Sequence, residues 1–291
     1  MKPIILGVES DLGVHIDGAK YGPTFILNDI KSMYNNEVIE IKSNPNYIKS
    51  KDSNDLRKNE NEINSLNKSV YKIITKKISE EYFPITIGGD HSISIASALG
   101  SAKKYENIGI IWIDAHTDYN TFDTTITGNI HGLPLATITG YGCKELRTFH
   151  NGSTINPANC VVVGARSIDK DELINVKKSG ITVFSTEDIR CNGVNEIMSK
   201  AFEVAGNNTN KIHISFDLDI IDPSYAPGVS VPEIEGITDE EAIKIINFIA
   251  KNIEKVSAFD IVEFNPLFDI NNKTKNIASN LLTTILKQLN D

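Results

Sequence analysis

Thiols are scarce in this chain: Cys143, Cys160 and Cys191 lie far apart among 291 residues and form no CxxC pair. Their spacing argues against a disulfide framework and a thiolate zinc site, and favours a reducing, cytoplasmic compartment. Long apolar runs are also wanting near the start, where PIILGV is followed at once by Glu9 and Asp11. Six residues are too few for a secretory core or a membrane span. Basic residues are outnumbered, 29 Lys plus Arg against 38 Asp plus Glu, for a formal net charge of -9. That surplus opposes a phosphate backbone or an anionic bilayer, so neither nucleic acid nor membrane is expected as a partner. The densest basic cluster, Lys72, Lys76 and Lys77, shares its segment with Glu80 and Glu81. What the chain has in plenty is carboxylate, a stock of ligands for cations, and enough apolar residues (40%) to bury a core.

Short β-branched runs alternate with longer amphipathic segments from end to end, the pattern of repeated β-α units around a mostly parallel sheet. Strands are predicted near 3–8, 37–42, 83–88, 108–114, 160–165, 181–185, 211–217 and 256–263. IGIIWID, CVVVGA and IHISFDLD are continuous rather than alternating, as in strands covered by helices on both faces. Thr238 opens a helix with an acidic first turn and Glu241 at the capping-box position, and NIASNLLTTILKQL predicts a last helix that docks on the sheet. The polar tract from Asn44 to Asn67 reads as a solvated loop leading into a surface helix. No repeat or low-complexity tract interrupts residues 1–291, so one domain is expected. The alternation alone does not separate an open three-layer sheet from a closed eight-stranded barrel, but both place chemistry at the carboxyl ends of strands.

Three such ends are rich in ligand-type side chains. GGDHS places His91 where the chain leaves the third strand; the competing view is that Asp90 or Ser92 merely caps the next helix. DAHTD supplies Asp114, His116 and Asp118, which in an extended chain would share one face at roughly 7 Å intervals. SFDLDIIDP supplies Asp217 and Asp219 on one face by the same period, with Leu218 and Ile220 on the other, while Asp222 and Pro223 build a turn. Carboxylates and imidazoles gathered at a buried edge are costly unless a cation compensates them. Six oxygen and nitrogen ligands without a thiolate suit a divalent cation such as Mn²⁺, and four carboxylates are enough to bridge two metals about 3.5 Å apart.

GGDHS, DAHTD with NTFDTTITGNIHGLP, SFDLDIIDPSYAPG and DIVEFNP stand in the order of the ureohydrolase superfamily, and with SDLGVHIDGAKYGPTFIL near the start the chain most resembles the arginase family over nearly its whole length. The resemblance implies a three-layer α/β/α fold with a central eight-stranded parallel sheet and two Mn²⁺ per chain. His91, Asp114, Asp118 and Asp217 would hold one metal; Asp114, His116, Asp217 and Asp219 would hold the other. A hydroxide between them would attack the guanidinium carbon of L-arginine, giving L-ornithine and urea. By motif position Asp118 would bond the hydroxide, His131 would shuttle a proton, and Glu263 would face the guanidinium. Asn120, Thr125, Thr127 and Asn129 would reach the α-carboxylate, and Asp169 the α-amino group. The residue-level alternatives are a plain loop histidine at His131 and a lysine-paired carboxylate at Glu263. One departure stands out: Val229, Ser230, Val231 and Pro232 occupy the family's Thr-Gly-Thr-Pro stretch, which removes a hydroxyl near the guanidinium. Agmatine, another guanidino compound or formiminoglutamate is the rival substrate, and a non-catalytic metal-binding member the rival class. The family further implies a homotrimer or a pair of trimers.

Overall fold

Eight β-branched runs of the sequence become eight neighbours in one sheet, and the elements follow one another as strand and helix almost throughout. The computed structural model describes residues 1–31, 34, 37–52 and 54–290. The strands are β1 (Lys2–Glu9), β2 (Val38–Lys42), β3 (Tyr82–Gly88), β4 (Ile108–Ile113), β5 (Cys160–Ala165), β6 (Thr182–Ser185), β7 (Lys211–Asp217) and β8 (Val256–Val262). Each lies within a residue or two of its predicted position. The helices are α1 (Gly22–Ile30), α2 (Glu60–Ser79), α3 (Ser94–Lys104), α4 (Pro134–Thr139), α5 (Lys170–Ser179), α6 (Thr186–Asn192), α7 (Val194–Ala205), α8 (Asp239–Lys251) and α9 (Lys273–Asn290). Thr238 caps α8 as predicted, its hydroxyl accepting from the Glu241 N–H while Glu241 reaches back to the Thr238 N–H. Among the described residues no helix is long and apolar enough to cross a membrane.

The order β2-β1-β3-β8-β7-β4-β5-β6, with every pairing parallel, settles the architecture. β2 and β6 are free edges, so the sheet is open and the barrel is excluded. The continuous apolar runs split their side chains between two cores, as strands buried on both faces must. On β4, Ile111 and Ile113 face one core with Phe216, α7, α8 and α9; Ile110 and Trp112 face the other with α2 and α3. The polar tract does lead into a helix, but α2 buries a stripe of Ile63, Leu66, Val70, Ile74 and Ile78, so only its other side faces solvent.

Register carries this order to the site. Ile87, Ile261, Phe216 and Ile113 pair in one row across β3, β8, β7 and β4. The next positions along these strands are Gly88, Val262, Asp217 and Asp114, so one sheet edge delivers four chain exits side by side. This is the crevice at the carboxyl ends of strands where open α/β sheets bind ligands.

Candidate metal centre and its cavity

The exit from β3 is fixed by a close approach. A Cβ on Gly89 would lie 1.7 Å from the Ser10 carbonyl oxygen, so only glycine lets the backbone pass. Asp90 then ties down the N-terminal loop, accepting from the Ser10 hydroxyl (2.9 Å), the Gly13 N–H (3.1 Å) and the Ser92 N–H (3.0 Å). Its role is the structural one, capping included, and this leaves His91 pointing into the crevice.

The other two exits converge on His91 in a way that period-two spacing does not describe. β4 ends at Ile113, and Asp114, His116 and Asp118 sit on a bent segment in which Asp118 takes a left-handed backbone, φ 47°. Likewise Leu218–Ile220 is a turn of 3₁₀ helix rather than strand, capped by the Asp217 carboxylate. Asp217 Oδ1 accepts from the Asp219 N–H at 2.8 Å, and Asp114 Oδ1 accepts from the His116 N–H at 2.7 Å. The predicted residues meet because tight turns curl them back over the strand ends. A straight strand would have carried Asp118 and Asp219 away, each step advancing the chain by about 3.3 Å.

Five of the six ligand candidates form two groups that share Asp114, His91 with Asp118 and His116 with Asp219, and the sixth, Asp217, lies against His91. His91 Nδ1 lies 3.0 Å from Asp217 Oδ2, 3.2 Å from Asp114 Oδ2 and 3.2 Å from Asp118 Oδ2. His116 Nδ1 lies 3.0 Å from Asp219 Oδ2 and 3.4 Å from Asp114 Oδ1. His91 Nδ1 and Asp118 Oδ2 are buried with no hydrogen-bond partner, although they face one another's carboxylates and rings. Buried polar atoms are rarely left so. Donor lone pairs converging on a common point, all nitrogen or carboxylate oxygen, fit divalent cations.

The charges lead to the same reading. Burial pushes Asp118 and Asp217 well above the carboxylate range, helped by Asp114 and, for Asp217, by Asp219; burial and Asp114 also raise Asp219. Burial opposes a charged His91, yet the carboxylates of Asp114, Asp118 and Glu263 outweigh it and raise its pKa to about 9. For Asp114 burial is overcome by His116 and His91, which hold it well below the usual range. The cluster thus gathers protons to offset its own repulsion, and cations replacing those protons would satisfy the same need.

Beside the cluster opens a cavity of about 250 Å³. Its wall includes His131, Asn120, Thr125, Thr127, Asn129 and Asp169, all expected there, together with His116, Asp118, Asp217 and Asp219. Asn120 Nδ2 donates to Asp169 Oδ2 at 3.1 Å, which joins the two ends of the expected head-group site. Glu263 lies behind His131: its Oε1 accepts from the His91 N–H at 2.7 Å and sits 3.0 Å from His131 Nδ1. Its partner is thus the histidine and not a lysine, and its Oε2 is buried without a hydrogen-bond partner. Glu263 also has a left-handed backbone, φ 68°, a strained state of the kind that concentrates at functional sites. Val231 reaches the cavity wall, and its segment runs alongside β8's exit through the Val229–Phe264 bridge and the Asn265 bond to Ser230.

Five wall residues escaped the sequence reading: His15, Gly132, Ser167, Glu172 and Glu233. Glu172 had a usable signal, an acid three places after the helix-capping Asp169; it accepts from the Asp169 N–H at 3.1 Å and the Tyr119 N–H at 2.8 Å, and so pins the 117–119 turn. Glu233, 3.5 Å from His116 Nε2 and hydrogen-bonded by Ser167, had none, since it comes from a loop distant in sequence.

With the geometry in hand, comparison with known proteins is specific. The family described as the arginase family matches residues 1–287. The arginase of Bacillus subtilis strain 168 is 35% identical over 288 residues, 97% of this chain and 96% of that protein. The solved arginase of Bacillus caldovelox superposes with a TM-score of 0.90 at 31% identity, covering 98% of both chains. An Entamoeba histolytica arginase solved in complex with L-ornithine gives 0.89 at 28% identity over 98% of this chain and 99% of that one.

Proposed function

The chain belongs to the arginase family, and from that premise we propose that it hydrolyses L-arginine to L-ornithine and urea at a pair of Mn²⁺ ions held by the six clustered residues. The observation that carries this is the junction of two features: a doubly grouped His and Asp cluster sharing Asp114, and an adjoining cavity lined by polar groups. His91, Asp114, Asp118 and Asp217 hold one ion; Asp114, His116, Asp217 and Asp219 hold the other. When bound, the two cations supply Lewis acidity that makes water nucleophilic near neutral pH.

The remaining roles fall to side chains whose free valences are already visible. Glu263 Oε2, buried and without a hydrogen-bond partner, accepts from the planar guanidinium and cancels its charge. Asp118 Oδ2, also without one, accepts from the attacking water and passes its proton along towards the leaving nitrogen. Once oxygen has added to the guanidinium carbon, the bond to the ornithine nitrogen breaks only if that nitrogen gains a proton. His131, on the cavity wall and braced by Glu263, delivers it. At the far end Asp169 and Asn120 fix the amino-acid head group, with Thr125, Thr127 and Asn129 beside them. Val231 offers the substrate a methyl in place of a hydroxyl. Urea release from arginine, agmatine, guanidinobutyrate and formiminoglutamate by the Mn²⁺-loaded protein tests the substrate; arginine is expected to exceed agmatine by about 10⁴-fold in kcat/KM, the scale on which a site built to hydrogen-bond polar groups rejects a substrate lacking them. Comparable turnover of the two would refute the arginine reading.

Metal loading has its own signature. His91 must lose its proton to bind, and its pKa in the metal-free protein is about 9. Against the pull of burial, His116 is likewise raised well above the ordinary histidine range by Asp219 and Asp114, so Mn²⁺ affinity is expected to rise with pH through the neutral and mildly alkaline range as these groups give up their protons. Calorimetric titrations in buffers of different ionisation enthalpy would count the released protons, and a pH-independent affinity with no proton release would contradict this. Three free cysteines, two of them buried, support a cytoplasmic location. The exposed Leu267, Phe268 and Ile270 support association, read here as a homotrimer or a pair of trimers.

A further inference from the structure

The cavity beside the cluster is short of cationic side chains. Its described wall residues include six carboxylates and neither lysine nor arginine. Two of its three histidines are already engaged, His116 with Asp219 and His131 with Glu263, which leaves His15. An α-carboxylate brought among so many anions needs hydrogen-bond donors around it, since an ionised group stripped of water without partners is costly. Thr125, Thr127 and Asn129 offer neutral donors on that wall, and His15 stands against the last of them.

The loop that carries His15 is held from several sides. Asp90 Oδ2 accepts from the Gly13 N–H at 3.1 Å, and the Gly13 carbonyl accepts from the His131 N–H at 3.1 Å. Asn59 Nδ2 donates to the Leu12 carbonyl at 2.9 Å, and Lys49 Nζ to the Ile16 carbonyl at 2.9 Å. On this braced loop the His15 ring is exposed, with Nδ1 3.0 Å from Asn129 Nδ2. An amide nitrogen only donates, so Nδ1 accepts and the neutral ring carries its hydrogen on Nε2. Among the described residues nothing accepts from that Nε2–H. We propose that His15 is a specificity-determining residue whose Nε2–H donates to the α-carboxylate of the substrate, a role that rests on the arginine reading above and adds to it a group from the N-terminal loop. Asn129 then has two tasks: one N–H holds the imidazole in its donating tautomer, and the other is left for the same carboxylate.

His15→Gln and His15→Ala separate the donor from the shape of the loop. Gln presents the same pair of groups, an oxygen to accept from Asn129 and an NH₂ to donate, whereas Ala has neither. In the Mn²⁺-loaded protein His15→Ala is expected to lower kcat/KM for arginine by about 10- to 100-fold, the scale of a hydrogen bond to a charged group, almost wholly through KM because the carboxylate takes no part in the bond changes. His15→Gln is expected to stay within about threefold of wild type. Agmatine lacks the carboxylate, so its inhibition constant against arginine hydrolysis should move by less than about twofold in either variant. Binding of L-ornithine, followed by calorimetry without turnover, is expected to weaken in His15→Ala in step with the KM for arginine. Wild-type affinity for arginine in His15→Ala, equal losses in the two variants, or an agmatine constant that shifts along with that of arginine would overturn the proposal. Failure of the wild type to favour arginine over agmatine would instead overturn the arginine reading on which it stands. Should His15→Ala not fold, His15→Phe, a ring with neither donor nor acceptor, takes its place with the same expected loss.

Discussion

Asp114→Asn is expected to reduce urea release from arginine by about 10²- to 10⁴-fold and to leave the chain unable to retain two Mn²⁺. The substitution is nearly isosteric, so the loss must come from hydrogen-bond polarity and charge. Both oxygens of Asp114 are committed: Oδ1 accepts from the His116 N–H, and Oδ2 accepts from the Trp112 indole N–H at 2.9 Å. Each also faces one histidine, His116 Nδ1 from Oδ1 and His91 Nδ1 from Oδ2. An amide has a single oxygen, so whichever way it turns, its NH₂ meets either the indole or the backbone donor head on. Removing one charge from a buried, hydrogen-bonded cluster costs about 3–5 kcal/mol, and each 1.36 kcal/mol is tenfold. Metal content by atomic absorption, with circular dichroism to verify the fold, checks the first effect, and a urea assay the second. A variant that keeps both ions and about a tenth of the activity would show that Asp114 is not shared between two positions.

Glu263→Gln separates charge from shape at the other end of the chemistry. The amide oxygen can still accept from the His91 N–H, so the turn after β3 is preserved. The left-handed backbone at this position is no harder for Gln than for Glu. What goes is the negative charge beside His131 and beside the substrate's guanidinium. The expected result is a fall of about 10²- to 10³-fold in kcat/KM for arginine, from about 3–4 kcal/mol of lost buried charge pairing, with Mn²⁺ content unchanged. Loss of metal along with activity would mean that Glu263 serves mainly to hold His91.

Much of this was legible in the chain because the signals are local. Apolar runs such as IGIIWI and CVVVGA are strands wherever they fall in a sheet, and the ligand motifs GGDHS, DAHTD and SFDLD need only a strand to end on. The geometry that joins them was not local. Period two put Asp114, His116 and Asp118 on one face for the wrong reason; the chain achieves it by a bend and a left-handed residue whose cost the surrounding fold absorbs. Glu233 and His15 reach the cavity from loops remote in sequence, and no spacing rule connects them to it. The buried bonds of Asp260 to His213 and Ser97 likewise depend on β7 and β8 being neighbours and α3 lying over them, a matter of strand order. Side-chain chemistry could be read one segment at a time, whereas adjacency belongs to the sheet.

That order also sets a timetable for biosynthesis. β8 is the last strand to leave the ribosome, yet it fills the middle of the sheet between β3 and β7. Before Val256–Val262 emerges, the nascent chain has the makings of two partial sheets, β2-β1-β3 and β7-β4-β5-β6, each with an apolar edge that lacks its partner. Unpaired edges of this kind invite pairing with other chains, and contacts this distant in sequence form slowly. His91 leaves from one side of the gap and Asp217 from the other, so the group that includes His91 is not assembled until the final strand closes it, whereas Asp114, His116 and Asp219 follow strands that are already neighbours. Completion of the position that includes His91 is thereby made an event of the finished chain.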